Sequence, residues 1–183
     1  MIKIQALSTK KDSVTFWDEK GHGEISQIFI SHNEDCISCI QFHYAQNGSL
    51  VLSPPYGAPH SPNFYSVEFN YPSEFLVKVS GKYTINGVRL ITFTTNKGTY
   101  GPYGNAEPPF GTKLHEFNFD MGKRRQFGGF HGSFATQGLT SIGVYINPAT
   151  TPETSPAEIS NSVWDICSCY IVNIFKKIIK ILD

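Results

Sequence analysis

The chain has 183 residues, 40% apolar and only 16% charged, with 15 basic residues against 15 acidic ones. A net charge of zero excludes a basic field that would steer the protein onto nucleic acid, so no nucleic-acid partner is expected. It also gives no repulsion between copies, and a homo-oligomer is expected.

The elements, taken in chain order, read as sheet. The counts of 14 Phe, 9 Tyr, 16 Gly and 11 Pro suit pleated, half-buried strands punctuated by turns. Residues 24–31 read as a strand and 36–44 as its hairpin partner across a turn at 32–35. Strict alternation in that partner puts Ile37, Cys39 and Gln41 on one face and Ser38, Ile40 and Phe42 on the other. Residues 49–53 follow as a strand, then a Pro- and Gly-rich loop over 54–63. Further strands are expected at 65–70, 75–83, 88–96, 99–104, 116–120, 126–131 and 139–146. That makes roughly ten to twelve strands and no helix before Pro148, a pattern of a sandwich, barrel or prism.

A composition break follows. Residues 148–161 form a Pro/Thr/Ser-rich linker between a domain at 1–147 and a tail at 162–183. In the tail Trp164, Cys167, Ile171, Ile174, Phe175, Ile178 and Leu182 share one helical stripe, with Asn173, Lys176, Lys177 and Lys180 largely opposite. Such an amphipathic segment, with Ser160 or Ser162 as N-cap, fits a membrane surface, a protein partner, a dimer contact, or a docking site on its own domain.

No catalytic signature is present: no nucleophile elbow, phosphate loop, dinucleotide glycine pattern or zinc-protease motif. The six histidines stand singly and the carboxylates are scattered, so neither a metal nor a cofactor nor an enzyme is expected. Cys36 and Cys39 have redox spacing but sit in a strand pattern, and buried structural thiols are expected. The start of the chain lacks the apolar core of a secretory signal, which points to the cytoplasm and reduced thiols.

Three stretches resemble one family. Trp17, Asp18 and Glu19, followed by Gly23 to Ile28, are similar to the opening of the jacalin-related lectins. Ser80-Gly81-Lys82-Tyr83, with Leu90 to Thr95 and Tyr100-Gly101-Pro102-Tyr103-Gly104, resembles their central run. Gly129-Phe130-His131-Gly132, with Ile142-Gly143-Val144-Tyr145, resembles their closing strands. The resemblance covers roughly residues 2–147. It implies an all-β fold, a β-prism I of three four-stranded antiparallel Greek-key sheets about a pseudo-threefold axis. Phe29, Phe42, Phe69, Phe93, Phe119, Phe130 and Ile142 would then contribute to its core.

The resemblance also implies a lectin used in plant defence, binding a mono- or oligosaccharide at one end of the prism. A glycine in an N-terminal loop and a G-x-x-x-D motif before the last strand would form the site. The carboxylate accepts sugar hydroxyl protons as charge-assisted bonds. Here Thr136 and Thr140 stand at the Gly and Asp positions, and the loop from Ala6 to Ser13 has no glycine. The expected site is therefore a modified one of Gln137, Gly138, Leu139 and Thr140, with Asp12. Because the chain begins Met-Ile-Lys-Ile, without the freed N-terminal glycine of galactose binders, mannose-type sugars are expected. The alternative is a prism with a degraded sugar site that acts through protein contact to restrict systemic virus movement.

Overall fold

A computed structural model describes residues 1–4, 13–108 and 110–148. The prism lies in the compact unit Met1–Ala149. The expected linker, tail stripe and helix cap lie outside the described residues.

Among the described residues thirteen strands alternate with turns and one short 3-10 turn at Ser61–Asn63. They are β1 (Ile2–Ile4), β2 (Thr15–Asp18), β3 (Ile25–His32), β4 (Ile37–Gln46), β5 (Ser49–Leu52), β6 (Tyr56–Gly57), β7 (Phe64–Glu68), β8 (Leu76–Thr84), β9 (Gly87–Thr95), β10 (Thr99–Gly104), β11 (His115–Asp120), β12 (Phe127–Ala135) and β13 (Gly138–Ile146). Every expected strand is present. The sequence reading passed over β1, β2 and β6, which are too short to show a period.

The strands form three antiparallel sheets, ordered β1-β13-β12-β2, β5-β4-β3-β7 and β10-β9-β8-β11, with β6 pairing on β4 in the second. Each sheet is a central hairpin (β12–β13, β3–β4 or β8–β9) flanked by two outer strands. This is the all-β prism that the resemblance implies.

The threefold relation extends to irregularities of the backbone. In each central hairpin one residue of the second strand is extra: Ser38 between the pairs Ser31–Cys39 and His32–Ile37, Arg89 between Lys82–Leu90 and Tyr83–Val88, and Thr140 between Ser133–Ser141 and Phe134–Leu139. A second set of bulges, Ser26, Val77 and Gly128, lies on the first strands near the opposite end of each hairpin. Both sets are evenly spaced in the chain, as expected of one structural unit used three times. A bulge inserts one unpaired residue, raises the local twist and re-aims the side chains on either side of it.

The inward faces meet in one aromatic core. Trp17 stacks on Tyr56 at 4.3 Å, Phe42 stacks on Phe130 at 4.7 Å, and Phe130 meets Phe93 edge-on and Phe127 at 4.7 Å. Of the residues expected in the core, Phe42, Phe69, Phe93, Phe119, Phe130 and Ile142 are buried. Phe29 is not. It lies half-buried on the outer face of its sheet, against Phe64, because its neighbours Ile28 and Ile30 take the inward positions. The expected alternation in β4 also fails at one place. The bulge at Ser38 turns Ile37 inward with Ile40 and Phe42, so Ile37 does not share a face with Cys39.

Candidate functional site

The turns of the three central hairpins, at 33–36, 85–86 and 136–137, come together at one end of the prism. Packing there is backbone on backbone. Gly138, at φ +134°, sits where a Cβ would lie 2.4 Å from the Ile37 carbonyl oxygen, and Gly87, at φ +142°, where it would lie 2.5 Å from that of Leu139. Only glycine tolerates either the torsion or the approach.

Polar groups lock the turns. The Gln137 carbonyl accepts the Cys36 thiol at 2.8 Å and the Asn33 amide at 3.4 Å. Arg89, the bulge residue of its sheet, is 2% exposed. Its Nη1 donates to the Asp35 carbonyl at 2.5 Å, and its Nη2 donates to the carbonyls of Glu34 at 2.9 Å and Glu107 at 2.7 Å. One guanidinium thereby ties β9 to the 33–36 turn and to the segment after β10. Fixed fork geometry suits arginine to this and lysine poorly.

The other two bulge residues carry hydroxyls. Ser38 bonds Ser31 at 2.8 Å and Thr140 bonds Ser133 at 2.7 Å. Ser133 also bonds Ser141 at 2.7 Å. The position where the resemblance expects the sugar-binding aspartate is thus one of three equivalent bulges. None of them carries a carboxylate in this chain.

The expected site residues fall as follows. Gln137 is exposed at the turn, while Gly138 is buried. Leu139 is fully buried in the core, and Thr140 is 4% exposed with its hydroxyl bonded to Ser133. Gln137 and Gly138 therefore meet the other turns at the tip, whereas Leu139 points away from solvent. Asp12 lies outside the described residues. Sequence reasoning missed Arg89, Asn33 and Ser133. The lone charge of Arg89 among the apolar residues of a strand was the available signal.

A hollow of about 450 Å³ lies on the outer face of the β1-β13-β12-β2 sheet, walled by Lys3, Phe16, Asp18 and His131. Its polar groups are bonded to the protein itself. Asp18 accepts the Tyr145 hydroxyl at 2.5 Å and faces the Lys3 ammonium at 3.6 Å. These contacts hold its carboxyl below the ordinary range, against the opposing effect of burial, the largest single influence on it. His131 Nε2 lies 2.9 Å from the Ile4 carbonyl, so it carries the proton and ties β12 across β13 to β1. Burial pushes the His131 pKa down.

Cys36 and Cys39 are both buried and unbridged, and burial raises the Cys39 thiol to about 11. A thiol held so far above neutral pH is a poor nucleophile and a poor metal ligand. Among the described residues no group of three or more His, Cys, Asp or Glu is placed to hold a metal ion.

The fold and its closing motifs define a class of protein. The chain belongs to the jacalin-like lectins: the Jacalin-like lectin domain matches residues 8–145, and the family consists of carbohydrate-binding proteins that are not enzymes. Among individual relatives, it is 44% identical to Protein RESTRICTED TEV MOVEMENT 1 of Arabidopsis thaliana over 155 residues, covering 81% of this chain and 84% of that one. It is 34% identical to Jacalin-related lectin 24 of the same plant, over 90% of this chain and 74% of that one. Among solved structures it is similar to the mannose-binding lectin from Champedak, with TM-score 0.65, 31% identity and coverage of 79% and 95%. It is also similar to artocarpin in complex with mannopentose, with TM-score 0.66, 28% identity and coverage of 80% and 97%.

Proposed function

We propose that this chain is a jacalin-type binding module of plant defence that restricts systemic virus movement through contact with a protein rather than by capture of free mannose. One observation carries the reading: Thr140 occupies the bulge at which a sugar-binding carboxylate is expected, and its hydroxyl is bonded to Ser133. Each charged hydrogen bond forfeited costs about 1.5–3 kcal/mol, one to two decades of affinity in a class of complexes that is weak to begin with. The 44% identity to a protein named for restricted virus movement supports the same reading. The setting we propose is cytoplasmic, where Cys36 and Cys39 remain thiols.

A second reading is favoured by the likeness to artocarpin in complex with mannopentose. It makes the chain a lectin of mannose-type preference, with Gln137, Gly138, Leu139 and Thr140, and Asp12 from the N-terminal loop, as a modified site. Under either reading the amphipathic sequence pattern of 162–183 is proposed as a contact with a partner or a membrane surface.

Titration calorimetry of the full chain with methyl α-mannoside and galactose, paired with a systemic virus-movement assay in plants lacking the protein, separates the two. The first reading expects no heat at millimolar sugar and restored restriction on complementation. Saturable mannoside binding that Gln137→Ala abolishes, with no effect on virus spread, would establish the second and sink the first.

A further inference from the structure

The end of the prism away from the tip is built from the turns at 19–24, 69–75, 95–98 and 121–126. Contacts between them hold this base together. The Arg125 guanidinium lies 2.8 Å from the Glu24 carboxylate and 4.6 Å over the Phe75 ring. The Lys97 ammonium donates to the Ser73 hydroxyl at 2.5 Å, and the Gly21 amide donates to the Gly128 carbonyl at 2.8 Å.

The zero net charge of the chain hides a local excess here. Lys20, Lys97, Lys123, Arg124 and Arg125 all stand exposed on these turns. Only Arg125 has an ion-pair partner among the described residues. The carboxylates of this end are less open. Glu19 and Glu74 are buried, Glu24 is taken by Arg125, and Asp120 accepts the Gly122 amide at 3.0 Å, which leaves Glu68 at the margin. Apolar side chains stand among the cations. Ile2, paired with Ile146 beside Phe127, is 56% exposed, and Tyr71 on the 69–75 turn is 39% exposed. The chain also leaves the prism at this end. The Asn147 amide donates to the Gln126 carbonyl at 2.6 Å, so the sequence beyond it starts beside the Lys123-Arg124-Arg125 run.

We propose that this basic base is a docking face for an anionic lipid surface. Cations held against a layer of anionic headgroups each strengthen binding about fivefold. Two features favour lipid over a nucleic acid or an acidic protein. Single apolar side chains set among cations suit the boundary between headgroups and acyl chains. The sequence that starts here also sets Lys176, Lys177 and Lys180 opposite an apolar stripe, the pattern of a segment that lies in a membrane surface. Basic charge and apolar insertion are each weak alone and act together. Whether the tip takes a protein or a sugar has no bearing on this face.

Co-sedimentation of the full chain with vesicles tests it. The wild type is expected to bind phosphatidylcholine vesicles that contain about 30% phosphatidylserine, to bind pure phosphatidylcholine far less, and to be released by about 0.5 M salt. Lys123→Gln combined with Arg124→Gln removes two exposed cations, so the variant should keep the wild-type circular dichroism. It should bind roughly twentyfold more weakly, about fivefold for each cation. Lys113→Gln is the matched control, in the segment between Glu107, which Arg89 ties to the tip, and His115. It should bind as the wild type does. A double variant that binds like the wild type would leave the 162–183 sequence alone as the lipid contact and overturn the proposal. So would equal binding to neutral vesicles, or a wild type that ignores vesicles and binds single-stranded RNA.

Discussion

The Thr140 and Ser133 hydroxyls lie 2.7 Å apart on neighbouring strands of one hairpin, and Ser38 and Ser31 repeat the arrangement at 2.8 Å in another. A hydroxyl pair at this bulge is therefore a structural device of the prism tip. Thr140→Val keeps the shape and removes the bond, leaving Ser133 its other partner, Ser141. It should cost about 1 kcal/mol, a fall in Tm of roughly 2–4 °C for a domain of this size, measured by thermal denaturation.

Arg89 gives a larger effect. Replacing it with Met deletes three charge-assisted hydrogen bonds, to the carbonyls of Glu34, Asp35 and Glu107, and leaves Glu34 only the Asn105 amide at 3.3 Å. Urea denaturation should show a loss of about 1.5–3 kcal/mol, the range for losing hydrogen bonds to a charged group. Arg89→Lys should recover only part of this, because a single ammonium cannot span three carbonyls in fixed directions.

Gly138→Ala should destabilise by more than the usual helix-or-loop Gly→Ala change, since the new Cβ would meet the Ile37 carbonyl and the backbone torsion is positive. We expect roughly 2–4 kcal/mol in the same urea assay. Gly98→Ala, where nothing lies within 4 Å, is the matched control and should be near neutral.

Among the described residues His131, Glu74 and Asp18 all have depressed pKa values in the fold and shape the response to acid. His131 has a depressed pKa in the fold, caused first by burial, so the unfolded chain binds its proton more readily. Its contribution to stability is complete above the ordinary value of 6.5 and is lost as pH falls below it toward the folded-state value. Glu74 is buried at the far side of the β10-β9-β8-β11 sheet, where it accepts the Thr95 hydroxyl at 2.6 Å, the Tyr100 hydroxyl at 2.8 Å and the Asn70 amide at 3.0 Å. Burial pushes its pKa up, but these bonds outweigh that and hold it below the ordinary 4.5. Its contribution is complete above 4.5 and disappears as pH drops through the range beneath it. Stability measured against pH should therefore fall in two stages. His131→Gln should flatten the first, and Glu74→Gln should reduce the second, which Asp18 shares.

The fold was legible because its strands alternate and its turns are marked by Gly, Pro and Asn, and because Trp17, Gly129 to Gly132 and Ile142 to Tyr145 stand where the family places them. The register was less legible. A bulge has no residue signature, so Ser38 hid the inward turn of Ile37, and Phe29 read as core although the sheet spends that face on its surface. For the tip, the resemblance implied a carboxylate at the position where Thr140 stands. It did not show that Ser133 already holds the hydroxyl, nor that Arg89 reaches across to the 33–36 turn, since both depend on contacts between residues distant in the chain.

The β1-β13-β12-β2 sheet draws two strands from each extremity of the prism sequence, whereas the other two sheets are each built from contiguous stretches. During synthesis the two contiguous sheets have all their strands before the third has its central hairpin. Ile2 to Ile4 must then wait, unpaired, for Val144 to Ile146 to emerge. The order of assembly is thus written into the strand map, and a nascent chain halted before β12 would display its own apolar starting segment to chaperones.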